Sequence, residues 1–485
     1  MVFSSPTFLF YFFPLFLLLY YVLPWKNGVL LVASLLFYAW GEPGFVPLLM
    51  LSALLNYSMG YAIARWRARG VPLLWLGIAA NLAFLIYYKY MAFLCQIARD
   101  LLAPFGRQVE IPEIVLPLGI SFFTFQGISY LIDVYRNEVN AQQSFWRFAM
   151  YKAMFPQLIA GPIVRYKQIA HEVDQRSITN ARVVAGFHQF AVGLAQKVLI
   201  ANTVALPADR LFLVPPGDLS MLGAWIGIAC YSIQILYDFA GYSNMAIGIG
   251  HMIGFSYPPN FNRPYSSASV TEFWRRWHMS LSSWFRDYLY IPLGGNRVSP
   301  LRTYINLAVV FLLCGLWHGA AWTFIIWGGW HGLLLIVERA GLGNALARLP
   351  RLVSQAYTLF VVMIGWVFFR ANDVPHALHF LKVMFGQGTK GETYPWQSDF
   401  QFTAMTALAV GAVLAVWPAS NEAERLKTEG INRAAAPGKA GITAISVMTA
   451  AGTASVKHAL AAAAIILCAA SLAAGTYNPF IYFRF

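Results

Sequence analysis

Apolar runs long enough to form membrane-crossing helices recur along the whole chain, beginning near residues 7, 28, 44, 72, 113, 181, 218, 303, 321, 352, 401 and 458. A hydrocarbon core about 30 Å thick takes roughly 20 apolar residues per helical crossing. The pattern therefore predicts an all-α, polytopic integral membrane protein with about eleven crossings, supplemented by re-entrant or amphipathic helices. The first run, TFLFYFFPLFLLLYYVL, has no basic segment before it and no small-residue cleavage site after it, so it is expected to be a retained helix. No soluble domain and no long-period repeat interrupts residues 1 to 485, which read as a single membrane domain.

Composition agrees: 59% of the residues are hydrophobic and 11% are charged. The formal charge of +14 is the kind of excess that marks cytoplasmic loops rather than a nucleic-acid surface. Basic clusters occur at Arg65, Arg67 and Arg69, at Arg339, Arg348 and Arg351, and at Arg425, Lys427, Arg433 and Lys439. Placing these inside puts Lys26 inside and Glu42 and the segment 371 to 400 outside. The final helix then runs outward and leaves the last residues on the exterior face. Residues 421 to 457, rich in Ala, Gly and Thr around Arg433 to Ser455, read as a cytoplasmic linker. Cys95, Cys230, Cys314 and Cys468 all lie in apolar runs without Cys-x-x-Cys spacing, so neither a disulfide frame nor a metal site is expected.

Within this apolar background, CGLWHGAAWTFIIWGGWHG (314 to 332) carries Trp-His-Gly twice, inside a 35-residue stretch without charge from Thr303 to Val337. With Arg302 and Glu338-Arg339 on the same side, a two-limbed hairpin turning near Gly319 is the simplest geometry. Its first limb would be about 15 residues, or roughly 22 Å, too short to cross the core. The turn would then be recessed, lining a cavity, with His318 at its floor and His331 deeper on the second limb and on a different face. An ionisable group at that depth is a functional candidate, against the plainer possibility of hydrogen-bonded packing, which suits His331 better. Burial disfavours an imidazolium, and a neutral imidazole is the form that takes a proton from a hydroxyl. Cys314, one turn before His318, makes a Cys/His pair a weak alternative.

A second constellation, SVTEFWRRWHMSLSSWFRDYLYIPLGGNR (269 to 297), opens on a capping-box pair, Ser269 and Glu272. Trp274, Trp277, Leu281, Trp284 and Tyr288 recur at spacings of three and four, which predicts an amphipathic helix with an aromatic face. Arg275, Arg276, Arg286 and Arg297 lie off that face with His278 among them. They form either the basic face of a membrane-surface helix or a wall binding the phosphates of an acyl donor. Asp238, in YDFAGYSNMAIGIG, is an acid in an apolar stretch, placed to orient a histidine or an arginine or to be a satisfied buried group.

These segments, with LPLGISFFTFQGISYLIDVYR (116 to 136) and FPQLIAGPIVRY (155 to 166), resemble the membrane-bound O-acyltransferase family, in particular its bacterial branch for O-acetylation of alginate and peptidoglycan. The likeness runs from the N-terminal MVFSSPTFLF to about residue 370. It implies a catalytic core within residues 113 to 338, in which His318 of the LWHG motif is the core catalytic histidine and His278 of RRWH the second motif histidine. His331 matches a position outside that pair. The resemblance further implies a cytoplasmic donor such as acetyl-CoA, with no permanently bound cofactor and no metal. The acceptor stands on the opposite side, and a tunnel passes between them. On this reading His318 is the base for the acceptor hydroxyl, or a transient acyl carrier. His278 with Arg275 and Arg276 positions the donor, Trp274 and Arg286 are further donor-binding candidates, and Asp238 and Trp317 are other site candidates.

The expected activity is therefore O-acetyl transfer toward an exported polysaccharide at the bacterial inner membrane, with membrane lipids around the protein and a periplasmic SGNH-type transferase as partner. The other classes open to the sequence are a protein or lipid acyltransferase on the same fold and a non-catalytic transporter or flippase. Residues 476 to 485 close the chain, ending on NPFIYFRF (478 to 485). An aromatic belt at the outer interface accounts for them, but Phe480-x-Tyr482-x-x-Phe485 resembles the motif of acyl-relay tails in this branch. That resemblance makes Tyr482 a candidate acetyl carrier.

Overall fold

A computed structural model describes residues 1–215, 217–387, 395, 397, 400–416, 444–475 and 477–479, the stretch 444–455 as backbone alone. Among these residues the regular structure is entirely helical. Seven helices are long and apolar enough to cross a membrane: Pro43–Arg65, Arg67–Phe105, Asn180–Leu213, Met221–Met252, Pro300–His318, Arg351–Arg370 and Val456–Ala473. Phe8–Val22 and Phe402–Val416 are shorter apolar helices. The run expected to cross from residue 113 forms instead the helix Ile120–Tyr135, preceded by irregular chain and buried on nearly every face. An apolar sequence was the only signal available there, and it does not separate a lipid-facing helix from one enclosed by protein.

Met221–Met252 is the central post, packed against Asn180–Leu213 and Arg351–Arg370. Glycines two turns apart set its distance from the Asn180–Ala195 helix. A Cβ on Gly186 would stand 2.5 Å from the Gly248 carbonyl oxygen, and one on Gly193 would stand 2.5 Å from that of Gly241. Small residues on matching faces allow this backbone contact, which stands in for the hydrophobic drive that lipid cannot supply.

The hairpin is present, with helices Pro300–His318 and Trp322–Val337 joined through Gly319, Ala320 and Ala321. Its limbs touch backbone to backbone, since a Cβ on Gly315 would lie 2.3 Å from the Phe324 carbonyl oxygen and one on Gly328 at 2.3 Å from that of Phe311. The first limb differs from expectation. Ser299 caps it by accepting from the Arg302 amide, so the helix starts ahead of the charge-free run and has 19 residues, about 28 Å of rise. Its length therefore does not argue for a recessed turn.

Two further expectations change. The 269 to 288 segment is not one amphipathic helix on a membrane surface. It divides into Val270–Arg276, Met279–Phe285 and a π-helical turn Arg286–Tyr290, with His278 in the left-handed region at φ 43°. The break has a cause: the Asn262 amide donates to the Arg276 carbonyl and the Met279 amide to the Asn260 carbonyl, so a neighbouring strand of chain takes bonds that a continuous helix would use. The aromatic face of Trp274, Trp277, Leu281, Trp284 and Tyr288 is buried in the core rather than in lipid. The expected linker, residues 421 to 457, falls outside the described residues up to 443. From Ala444 onward it is helix, continuous with Ala473, as its alanine content favours.

Candidate functional site

His318 ends the first hairpin limb with its ring against the rings of Trp317, Trp327 and Phe369, at centroid distances of 4.9, 5.0 and 5.2 Å. It is 7% exposed, and its Nε2 has no hydrogen-bond partner among the described residues. A cavity of about 190 Å³ reaches it, lined also by Trp317, Lys89, Ser121, Phe122 and Glu42. His318 on the wall of a cavity is the arrangement expected at the hairpin turn.

His278 meets the same place from the other constellation. Its ring lies 6.1 Å from the Trp317 indole and 4.5 Å from the Phe239 ring, centroid to centroid. Its Nδ1 is 3.1 Å from Asn260 Oδ1. Asn260 donates through Nδ2 to Ser243 Oγ at 2.9 Å, so its Oδ1 is an acceptor only and the proton of His278 is on Nδ1. Nε2 is thereby left with its lone pair, and it too lacks a partner. Two buried imidazoles thus approach one indole, each with an uncommitted Nε2, and the Trp317 Nε1–H between them in sequence is equally unpartnered. Buried polar atoms are normally satisfied. His331 Nε2 and Trp327 Nε1 also lack partners among the described residues, so unpartnered polar atoms run through this whole ring cluster.

His331 differs. It is fully buried, and its Nδ1 accepts from Trp274 Nε1 at 3.3 Å, which puts its proton on Nε2. Its ring is enclosed by Trp274, Trp327, Phe273 and Trp366. Trp274, expected to contact a donor, is committed to this cage.

A family profile described as MBOAT, membrane-bound O-acyltransferase family, matches residues 137–369, which include His278, His318 and Asn260. A probable alginate O-acetylase AlgI of Pseudomonas aeruginosa is 44% identical over 425 residues, covering 85% of this chain and 79% of that protein. The chain belongs to the membrane-bound O-acyltransferase family. A probable alginate O-acetylase AlgI of Azotobacter vinelandii is 40% identical over 508 residues, covering both chains fully. A peptidoglycan O-acetyltransferase of Helicobacter pylori is 37% identical, covering 80% of each. This multi-pass membrane protein is accordingly an acyltransferase, and a non-catalytic transporter is set aside.

The remaining candidates of this acyltransferase are distributed as follows. Arg275 is exposed. Arg276 pairs with Glu272 at 2.7 Å and donates to the Asn262 carbonyl. Arg286 is exposed and pairs with Asp287, which also holds Arg165 at 2.6 Å. Burial alone would raise the Asp287 carboxyl, but hydrogen bonds and charge from Arg286 and Arg165 outweigh it and hold the group below the usual carboxylate range. Of the four residues proposed for the donor, Trp274 faces His331, Arg276 and Arg286 are each paired with a carboxylate, and Arg275 is exposed. Ser269 and Glu272 cap its start, though Glu272 accepts from the Ala268 amide rather than that of Ser269. Among the described residues no hydrogen bond joins Cys314 to His318, and all four cysteines are free.

Asp238 is fully buried and pairs with Lys197 at 2.8 Å, which fits the alternative of a satisfied buried group rather than one orienting a histidine or an arginine. Lys197 also donates to the Pro479 carbonyl. Residues 477–479 are tied to the body by hydrogen bonds. Asn478 bonds Ser4 and Asn202, and the Tyr477 hydroxyl donates to Asp209, itself paired with Arg370. Tyr482 lies outside the described residues. Asn260, Lys197 and Lys89 escaped the sequence reading. A lysine inside an apolar run was the available signal for the last two, whereas Asn260 sits in an unremarkable loop.

Proposed function

We propose that this protein transfers acetyl groups from a cytoplasmic donor, acetyl-CoA or a similar thioester, across the inner membrane toward an exported polysaccharide of the alginate type. Tyr482 is the intermediate acetyl carrier. The observation that carries the proposal is that the buried rings of His318 and His278 both stand against the Trp317 ring, each with an Nε2 that has no partner among the described residues. The names of the full-length relatives support O-acetylation of alginate, and that of the Helicobacter relative makes peptidoglycan the alternative polymer.

In the proposed step His318 Nε2 takes the proton of the Tyr482 phenol as its oxygen attacks the thioester carbonyl carbon. The C–S bond breaks, and the thiolate leaves and takes that proton back from the imidazolium. An acetyl aryl ester and a free thiol result. A phenol, with a pKa of about 10, yields its proton to a neutral imidazole far more readily than a sugar hydroxyl does. His278, fixed by Asn260, presents its lone pair to the same space and positions the reacting groups. A periplasmic SGNH-type partner then takes the acetyl group to the polymer, regenerating the phenol.

The docking of 477–479 supports the relay. Pro479 is held by Lys197, whose partner Asp238 precedes Phe239, the residue in ring contact with His278. Tyr482 is three residues further on, an extended reach of about 10 Å. Tyr482→Phe removes one oxygen and keeps the ring, so it is expected to abolish polymer acetylation with normal protein levels. Full acetylation in that variant would return the tail to an anchoring role and leave a sugar hydroxyl as the direct acceptor.

A further inference from the structure

An α-helix leaves its last four carbonyls without partners inside the helix, and at the end of Pro300–His318 all four are accounted for. The Gly315 carbonyl accepts from the Gly319 amide at 3.3 Å. The Leu316 carbonyl accepts from the Tyr90 hydroxyl at 2.9 Å. The carbonyls of Trp317 and His318 both accept from Lys89 Nζ, at 2.6 and 3.1 Å. The third bond of Lys89 goes to Ser121 Oγ at 3.2 Å. An ammonium has three donors, and here each has a protein acceptor.

Lys89 and Tyr90 are neighbours in sequence and close the π-helical turn Ile86–Tyr90, which stands between the helices Gly70–Leu85 and Met91–Leu102. A cation at a helix C-terminus is also favoured by the helix dipole, which helps offset the cost of withdrawing the ammonium from water. Lys89 lines the same 190 Å³ cavity as His318, and it comes from a helix outside the residues matched by the family profile.

We infer that Lys89, assisted by Tyr90, is a positioning residue for acyl transfer: its bonds to the Trp317 and His318 carbonyls fix the end of the hairpin limb and so aim the His318 imidazole and the Trp317 indole into the site. The inference rests on the reading of His318 as the base. A misplacement of about 1 Å at a reacting group costs on the order of 100-fold in rate, and releasing two of four terminal carbonyls allows a displacement of that size.

The test compares Lys89→Met, Lys89→Arg and Tyr90→Phe in the purified full-length protein, with radiolabelled acetyl-CoA as donor and label transfer as the readout. His318→Ala is run in parallel. Lys89→Met is expected to lower kcat by about 100-fold while the donor KM changes less than about twofold. Lys89→Arg, which still donates to carbonyls, restores most of that loss. Tyr90→Phe, which removes one hydroxyl from an otherwise intact side chain, gives a smaller loss of the same kind and serves if Lys89→Met does not fold. An unchanged kcat in both Lys89→Met and Tyr90→Phe, or a loss confined to KM, overturns the inference while His318→Ala remains inactive. Activity retained in His318→Ala overturns the underlying reading instead.

Discussion

Asn260 Oδ1 accepts from His278 Nδ1 at 3.1 Å and, at 3.2 and 2.8 Å, from the amide and hydroxyl of Ser280. One oxygen therefore fixes both the tautomer of the histidine and the start of the helix that follows it. Because His278 is held at φ 43°, a conformation unfavourable for a residue with a Cβ, the bond also helps hold the local break. Asn260→Ala is expected to lower kcat roughly 10- to 100-fold through loss of ring orientation. The check is steady-state acetyl transfer on protein shown by its thermal unfolding transition to be folded.

His331→Ala should separate stability from chemistry. The ring is fully buried among Trp274, Trp327, Phe273 and Trp366, so its removal leaves a cavity costing about 2–4 kcal/mol. The effect on kcat is expected to be clearly milder than at His318. Unfolding measured in detergent alongside turnover distinguishes the two, and equal catalytic damage at both positions would show that His331 takes part in the reaction.

Much of this arrangement was legible from the sequence, and the reasons differ by residue. The turn at Gly319 and the unequal settings of His318 and His331 follow from spacing, because a hairpin whose two histidines are 13 positions apart does not present both alike. The break at His278 was not legible, since it comes from Asn260 and Asn262 in a loop that has no periodic relation to the helix it interrupts. Lys89 carried the same signal as His318, an ionisable group in an apolar run. Its target carbonyls belong to residues more than 220 positions away. The Asp238–Lys197 pair shows the limit of reading one acid alone: the charge was visible, but its partner depended on how the central helix packs.

Arg275 and Arg276 lie on the polar side of the broken helix, with Arg276 held by Glu272. If they bind donor phosphate, replacing both with Gln raises the donor KM more than it lowers kcat. A defect in kcat alone would place them in the chemical step. Initial rates over a range of acetyl-CoA concentrations decide between these outcomes.

The account depends most on His318 as the base in acetyl transfer. The most direct measurement is single-turnover transfer of label from radiolabelled acetyl-CoA in the purified wild-type and His318→Ala proteins, with donor binding measured on the same samples. The account predicts that His318→Ala folds and binds donor as the wild type does, but transfers no label to Tyr482 or to any acceptor. Label transfer at the wild-type rate in His318→Ala would contradict it.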